Sequence, residues 1–174
     1  FARIGAKKLG SFGDPPSKKL SMLLRPSFIA RPGKVLVWGD WSAIEARVLP
    51  WLAASPGAED VLDVFRTNDK DPNLPDIYIL TAAELLNRNA EELWASYVAG
   101  EKEGKDARQA YGKVPVLSLG FGGGLGALLA MATNYRVYLD EATAKRVVAM
   151  WREKNRWAVE FWGKHNRNES TGLW

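Results

Sequence analysis

Residues 34–51 read KVLVWGDWSAIEARVLPW, and this stretch joins two different hydrophobic patterns. Its first half contains Val35 and Val37 and ends near Asp40, which predicts a buried β-strand that terminates in a carboxylate. Its second half repeats apolar residues at helical intervals from Ile44 onward. A strand followed directly by a helix is therefore predicted here.

The helix in this stretch has its own start and stop signals. Ser42 and Glu45 have the spacing of a capping box, so the helix is predicted to begin between them. Pro50 is expected to kink or end it, because proline lacks the backbone N–H. Asp40 has two interpretations at this point. It caps the turn, or it lies at a functional site, since a buried carboxylate needs a hydrogen bond, a metal or solvent.

The composition limits the classes of function. The chain has 174 residues, of which 47% are hydrophobic and 25% charged, as is typical of globular proteins. No apolar run is long enough to span a bilayer, and no membrane association is expected. With no cysteine and a single histidine, His165, thiolate or zinc chemistry is disfavoured. Any metal chemistry would rest on carboxylates and suit Mg²⁺.

The charge is mildly basic, with a formal net value of +4 and a pI near 9.3. This balance is compatible with a nucleic-acid partner. The basic residues fall in two clusters, and solvated helix faces explain the second equally well. The clusters are Lys102, Lys105, Arg108 and Lys113, and then Lys145, Arg146, Arg152, Lys154 and Arg156.

The rest of the chain has mainly helical periodicity. Residues 1–16 are rich in Gly, Pro and Ser and predict a loop, and Leu20 to Leu24 predict a short helix limited by Pro26. The later aromatic stripe through Trp151 and Trp162 predicts core packing. Helices are predicted over 58–67, 76–87, 90–99, 104–121, 125–133 and 141–164. The predicted fold class is α+β, a strand-containing lobe followed by a larger helical lobe.

A second chemical pattern occurs in the predicted helix 104–121. Gln109, Lys113, Leu117 and Phe121 are spaced by four, so an α-helix would place them in one stripe, from a polar end to an aromatic end. Lys113 could meet phosphate as a point cation, and Phe121 could pack on a base or sugar. The stripe therefore suits a nucleoside triphosphate.

The segment DWSAIEARVL, residues 40–49, closely resembles motif A of family A DNA polymerases. Residues 23–30, LLRPSFIA, are similar to the segment that leads into this motif. The resemblance implies that Asp40 is a catalytic metal ligand, supported by the carbonyl of Trp41. It also implies that Glu45 is a steric gate that rejects the 2′-hydroxyl of a ribonucleotide.

Residues 108–124, RQAYGKVPVLSLGFGGG, resemble motif B of the same family in its phage-type form. The resemblance implies that Lys113 binds the phosphates and donates a proton to the leaving pyrophosphate. It assigns Leu117 to sensing of the sugar and Phe121 to a position near the template base. The chain departs from the motif in one respect, because Gln109 occupies the arginine position and Arg108 lies one residue earlier.

Two further residues depart from the family pattern. Pro115 interrupts the motif B helix and is expected to kink it. Tyr78, in the segment DIYILTAA, replaces a histidine that contacts phosphate in the family and could offer a hydroxyl donor instead. Arg108, Gln109 and Tyr78 are therefore candidate nucleotide-binding residues.

The resemblance implies a phage-type DNA polymerase that adds dNTPs to a primer 3′ end with two Mg²⁺ ions. Residues 1–57 would form part of the palm with motif A, and residues 58–174 the fingers with motif B. Primer–template DNA, a dNTP and the rest of the polymerase chain, including the motif C palm and the thumb, are the expected partners. If a phage encodes the protein, the host cytoplasm is the expected location.

Motif C, which supplies the second catalytic aspartate in the family, is absent from the sequence, and the chain begins with Phe1. The chain is therefore expected to be an internal piece of a longer polymerase and inactive alone. A non-catalytic DNA- or nucleotide-binding fragment is one alternative. The other is a dinucleotide-binding oxidoreductase module, because Gly122 to Ala127 fits G-x-G-x-x-[GA], although Pro115 disfavours the strand that such a module needs.

Overall fold

The computed structural model describes residues 16–166, and every regular element in this range is a helix. The loop predicted for residues 1–15 lies outside the described residues, and Pro16 already begins a helix. In chain order the helices are α1 (Pro16–Leu24), a 3₁₀ turn (Arg25–Ser27), α2 (Ile44–Ala53), α3 (Pro56–Lys70), α4 (Ile77–Leu86), α5 (Ala90–Val98), α6 (Lys102–Ala107), a π-helical turn (Arg108–Lys113), α7 (Val114–Leu119), α8 (Leu125–Asn134), α9 (Glu141–Lys154) and α10 (Arg156–Asn166).

The chain divides into two units after Trp41. The described part of the first unit contains α1, the 3₁₀ turn and an irregular segment over residues 28–41. Its apolar side chains are exposed: Val35 is 83% and Val37 is 90% accessible. The short helix predicted before Pro26 is confirmed.

The prediction of an α+β fold with a buried strand at residues 34–41 is wrong. A strand pairs its N–H and C=O groups with a neighbouring strand, and residues 16–166 supply none. A helix pairs these groups within itself, so the helical patterns form without a partner element. The second unit is accordingly helical throughout its described residues.

Helix α2 begins differently from the prediction. Its N-cap residue is Ala43, which has a left-handed backbone with φ of 51°, and no side chain caps the helix. The capping box between Ser42 and Glu45 is therefore not formed. Pro50 lies inside the helix and is buried, and the helix continues to Ala53.

The main core of the second unit is built by α7 to α10 with contributions from α2 and α4. Trp151 and Trp162 stack with their ring centroids 6.0 Å apart, which confirms the predicted core role of the aromatic stripe. The buried members are Leu49, Leu85, Val114, Leu119, Leu128, Ala132, Ala144, Val147, Trp151, Ala158 and Trp162.

The helix predicted over 141–164 is divided into α9 and α10 at Asn155. The side-chain amide of Asn155 donates to the Trp151 carbonyl at 2.9 Å, and its own backbone N–H donates to the same carbonyl. An asparagine that bonds the backbone in this way competes with helix propagation. The chain turns at this point and still buries both tryptophans.

A smaller core lies where α4, α5 and α6 meet. Ile79 and Leu93 are fully buried there, with Ala83 and Ala107. Tyr97 and Trp94 pack around them and stack on each other with centroids 5.5 Å apart. This cluster fixes the start of α4 beside the end of α6, where the motif B segment begins.

The helix predicted over 104–121 is formed as three successive pieces, α6, the π turn and α7. In the π turn the Val114 N–H donates to the Gln109 carbonyl, five residues earlier. Pro115 follows at once, near the start of α7, where a missing N–H is tolerated. The π turn interrupts the α-helix before Pro115, and α7 ends at Leu119, so Phe121 lies beyond the helix.

The glycine run from Gly122 does not follow a strand, since residues 114–119 are helical and Gly124 is the N-cap residue of α8. The strand–turn–helix context of a dinucleotide-binding module is therefore absent from the described range. None of the described helices has the length and apolar character required to cross a membrane.

Candidate functional site

The centre of the candidate site is Arg108, the first residue of the π turn. Its Nε and Nη2 donate to one oxygen, Oδ2 of Asp76, at 2.9 and 2.6 Å. Its guanidinium carbon lies 4.9 Å from the ring centroid of Tyr78 and 4.8 Å from that of Tyr97. The arginine is thus held by a carboxylate and by two aromatic rings.

Asp76 is available to Arg108 because it is the N-cap residue of α4. Its Oδ1 accepts from the Ile79 N–H at 2.9 Å, which satisfies a backbone donor in the first turn. The capping geometry orients the carboxylate, and the other oxygen, Oδ2, faces the arginine. Sequence reasoning noted Asp76 only as part of the motif that contains Tyr78.

The π turn approaches the start of α4 closely at Gly112. A Cβ atom at this position would lie 2.1 Å from the backbone oxygen of Tyr78. Only glycine allows the two backbones to come this near. Gly112 therefore allows the π turn, which contains Arg108 and Lys113, to pack directly against the start of α4.

Lys113 ends the π turn, five residues after Arg108. Arg108 and Lys113 are therefore the first and last residues of one wide turn, whose backbone bonds residue i to residue i+5. The Nζ atom of Lys113 lies 5.1 Å from the ring centroid of Tyr135. No described carboxylate forms an ion pair with it.

Tyr135 was missed by sequence reasoning. It is the C-cap residue of α8, and no motif or spacing marked it. With Gln109 it lines a cleft of about 330 Å³ whose other lining residues are Asp106, Ala110, Arg136, Val137 and Tyr138. The candidate residue Gln109 thus lines an open, polar cleft together with Tyr135, the ring that Lys113 approaches.

Tyr78 is buried, and its burial raises the pKa of its hydroxyl. The positive charge of Arg108 lowers this pKa, and the negative charges of Asp76 and Glu45, together with Tyr135, raise it. The net shift is upward, so the hydroxyl remains protonated at neutral pH. Tyr78 can therefore act as a hydrogen-bond donor.

Glu45 lies in the first turn of α2, with an exposed side chain. It lines a small cavity of about 40 Å³ together with Leu49, Thr81 and Val116, among others. This volume suits little more than a water molecule. Glu45 and Tyr78 are near enough that the carboxylate influences the tyrosine's titration.

Leu117 and Phe121 are half-buried, and Phe121 packs against the main core. Leu117 belongs to α7, whereas Phe121 follows the end of that helix. The predicted single stripe from Gln109 to Phe121 is therefore not formed on one continuous α-helix. Its first two members, Gln109 and Lys113, lie in the π turn, and its last two follow that turn.

Arg47, a residue of the motif A segment, also belongs to the second unit. It forms a bidentate ion pair with Asp69 at 2.8 Å for both bonds, and its Nε donates to the Ser42 carbonyl at 3.0 Å. Its guanidinium carbon lies 4.3 Å from the centroid of Phe65. A cleft of about 420 Å³ is lined by both Arg47 and Arg108.

Asp40 and Trp41 belong to the first unit, in its irregular segment, and both side chains are exposed. Within residues 16–166 no group of three or more Asp, Glu or His residues could hold a metal ion. One carboxylate and one carbonyl do not fill the octahedral shell of Mg²⁺. The described residues therefore do not fit a complete magnesium site.

The chain is similar to a DNA polymerase of Bacillus phage SP02, with 38% identity over 143 residues. The matched region covers 82% of this chain and 19% of the phage polymerase. The chain thus spans about a fifth of the length of that relative. No protein-family profile matches the chain, and no solved structure matches it.

This similarity supports the sequence-based prediction at a coarse level: the chain is similar to part of a phage DNA polymerase. The assignment to family A, and of individual residues to motifs A and B, stays a prediction. The structure brings Tyr78, Arg108 and Lys113 around the π turn of the second unit. It does so by a wider turn, which the motif spacing did not indicate.

Proposed function

We propose that this chain is a segment of a template-directed DNA polymerase and that its helical unit binds the incoming dNTP. The observation that supports this most is the π turn with its two cations. Arg108 is oriented by Asp76, and Lys113, the last residue of the same π turn, has no carboxylate partner among the described residues. The similarity to a phage DNA polymerase supports a dNTP as the ligand of these two cations.

The two cations suit the triphosphate in different ways. Lys113 is a point charge on a flexible stem, and Arg108 offers a planar guanidinium with donors in a fixed geometry. Hydrogen bonds from such groups to phosphate oxygens are short and strong. Tyr78 adds a neutral hydroxyl donor, because a tyrosine is protonated at neutral pH and burial raises its pKa further.

The remaining candidates are proposed to contact the rest of the nucleotide. Glu45 would exclude a 2′-hydroxyl, and Leu117 would contact the sugar. Phe121 would lie near the template base, and Gln109 would contact the nucleotide from the π turn. These roles follow from the resemblance to family A, and the primer–template DNA would be the second substrate.

In the reaction, the primer 3′-hydroxyl would lose its proton to solvent and its oxygen would form a bond to the α-phosphorus of the dNTP, while the bond from this phosphorus to pyrophosphate would break. Lys113 would donate a proton to the leaving pyrophosphate. Magnesium, when bound, would stabilise the charge of the phosphates. Asp40 and the Trp41 carbonyl would contribute only part of its ligands.

A chimaera tests the proposal. This chain would replace its matching region in the SP02 phage polymerase, and primer extension would be measured with a labelled primer. Extension by the chimaera, lost in Asp40→Asn and in Lys113→Ala, is the expected result. A folded chimaera that binds primer–template but never extends it would instead favour a non-catalytic DNA-binding segment.

A further inference from the structure

One carboxylate, Asp76, has two tasks that use different oxygens. Oδ1 caps α4 by accepting from the Ile79 N–H, and Oδ2 accepts both donors of Arg108. The pair is largely protected from solvent, with side-chain exposures of 20% for Arg108 and 30% for Asp76. An ion pair shielded in this way restricts a side chain more than one at an open surface.

The ion pair leaves part of Arg108 available. Only Nε and Nη2 bond Asp76, and within residues 16–166 no acceptor meets Nη1. The rings of Tyr78 and Tyr97 fix the guanidinium plane. The remaining N–H donors of Arg108 therefore point in one direction, although arginine side chains usually sample many rotamers.

We propose that Asp76 is a positioning residue for nucleotide binding, which rests on the proposed function above. It holds Arg108 so that the free Nη1 edge meets the phosphate oxygens of the dNTP. Without Asp76 the arginine keeps its charge and loses its orientation. Binding then weakens, because the side chain must be ordered each time a nucleotide binds.

The two tasks of Asp76 can be separated by substitution. Asparagine caps a helix about as well as aspartate, and Asn89 does so in this protein by accepting from the Glu92 N–H at 2.9 Å. Asp76→Asn therefore retains the cap and removes the negative charge beside Arg108. Its matched control is Asp140→Asn, because Asp140 caps α9 through the Thr143 N–H at 2.9 Å and has no arginine partner among residues 16–166.

The experiment measures binding of dGTP, and of inorganic tripolyphosphate, to the 174-residue chain by titration calorimetry. Asp76→Asn is expected to weaken binding of both probes by about tenfold, the scale of one charge-assisted bond. Asp140→Asn is expected to change the affinity for either probe by less than about twofold. Arg108→Gln should remove the effect of Asp76→Asn, so that the double variant binds like Arg108→Gln alone.

The outcomes distinguish the two proposals. If the unaltered chain binds dGTP and Lys113→Ala does not, while Asp76→Asn binds as well as or better than the unaltered chain, the positioning role is overturned alone. Equal loss in Asp76→Asn and Asp140→Asn also overturns it, since a general effect of capping would then suffice. No binding by the unaltered, folded chain overturns the proposed function and the positioning role together.

Discussion

The irregular segment before Trp41 and the helical unit after it contain similar apolar residues with opposite burial. Val37 is 90% exposed, whereas Val114 and Leu119 are fully buried. Both regions have the hydrophobic pattern of a regular element in the sequence. The difference teaches that an apolar pattern leads to burial only where its backbone can also be hydrogen-bonded.

The helical unit meets this condition locally. Each of its helices pairs its own N–H and C=O groups, and packing then needs only complementary faces. The segment at residues 34–41 would need an adjacent strand, and the described residues contain none. Four measurements would sharpen or break this comparison, from the largest expected effect to the smallest.

The largest expected effect is on proteolysis. Chymotrypsin should cleave after Trp38 and Trp41, which are exposed in the irregular segment, more than ~1000-fold faster than after the buried Trp151. The reason is that cleavage at Trp151 requires unfolding of the helical core. Mass spectrometry of a digestion time course would check this, and equal rates at these sites would break the comparison.

The second effect is on core packing. Leu119→Ala should lower the free energy of unfolding by about 2–5 kcal/mol, because the residue is fully buried and the change leaves a cavity. Val37→Ala should change it by less than about 0.5 kcal/mol, since that side chain is already exposed. Urea denaturation of both variants measures the difference. A large loss in Val37→Ala would mean that the irregular segment is packed in solution.

The third effect concerns the close approach at the π turn. Gly112→Ala should destabilise the chain by about 1–3 kcal/mol, because its Cβ atom would lie 2.1 Å from the Tyr78 carbonyl oxygen. Gly126→Ala is the matched control: a Cβ atom added at this position in α8 would meet no other part of the described chain within 4 Å, and the change should stabilise by up to about 1 kcal/mol. Thermal unfolding would show the two shifts in opposite directions.

The smallest effect is a pH dependence at Tyr78. Burial raises its pKa above the ordinary value of 10.0, so the folded chain keeps a proton that the unfolded chain loses. The stabilisation that this shift gives the folded chain is complete below the ordinary pKa of tyrosine. It is lost as the pH rises through the pKa that Tyr78 has in the folded chain. In Tyr78→Phe the unfolding free energy should decline less steeply above pH ~10. The difference between the two slopes should correspond to the release of at most about one proton on unfolding. Parallel slopes would contradict the raised pKa.

Much of the helical organisation could be predicted from the sequence. Helices at 90–98 and 125–134 match their predicted bounds within a residue, because their signals are local: apolar spacing and, for the first, the asparagine cap at Asn89. The break at Asn155 and the π turn before Pro115 were harder to predict from the sequence. In both, the backbone selects among hydrogen-bond partners that differ by one residue or a few.

The candidate site was predicted in part. Lys113, Tyr78 and Arg108 were named from motifs, while Tyr135 and the roles of Asp76 and Gly112 were not. Their importance depends on residues distant in sequence: Asp76 contacts Arg108, 32 positions later, and Gly112 meets the backbone of Tyr78. Spacing along one helix cannot encode such contacts.

By itself the sequence determined the positions of most helices, the aromatic core stripe and the similarity to a DNA polymerase, because each depends on local order or on a contiguous motif. Only the tertiary structure decided that residues 34–41 form no strand and stay exposed. It alone also showed that Arg108 and Lys113 are the first and last residues of a π turn. The physical reason is the same in both cases, since backbone hydrogen bonds are completed by whichever partners the fold brings near.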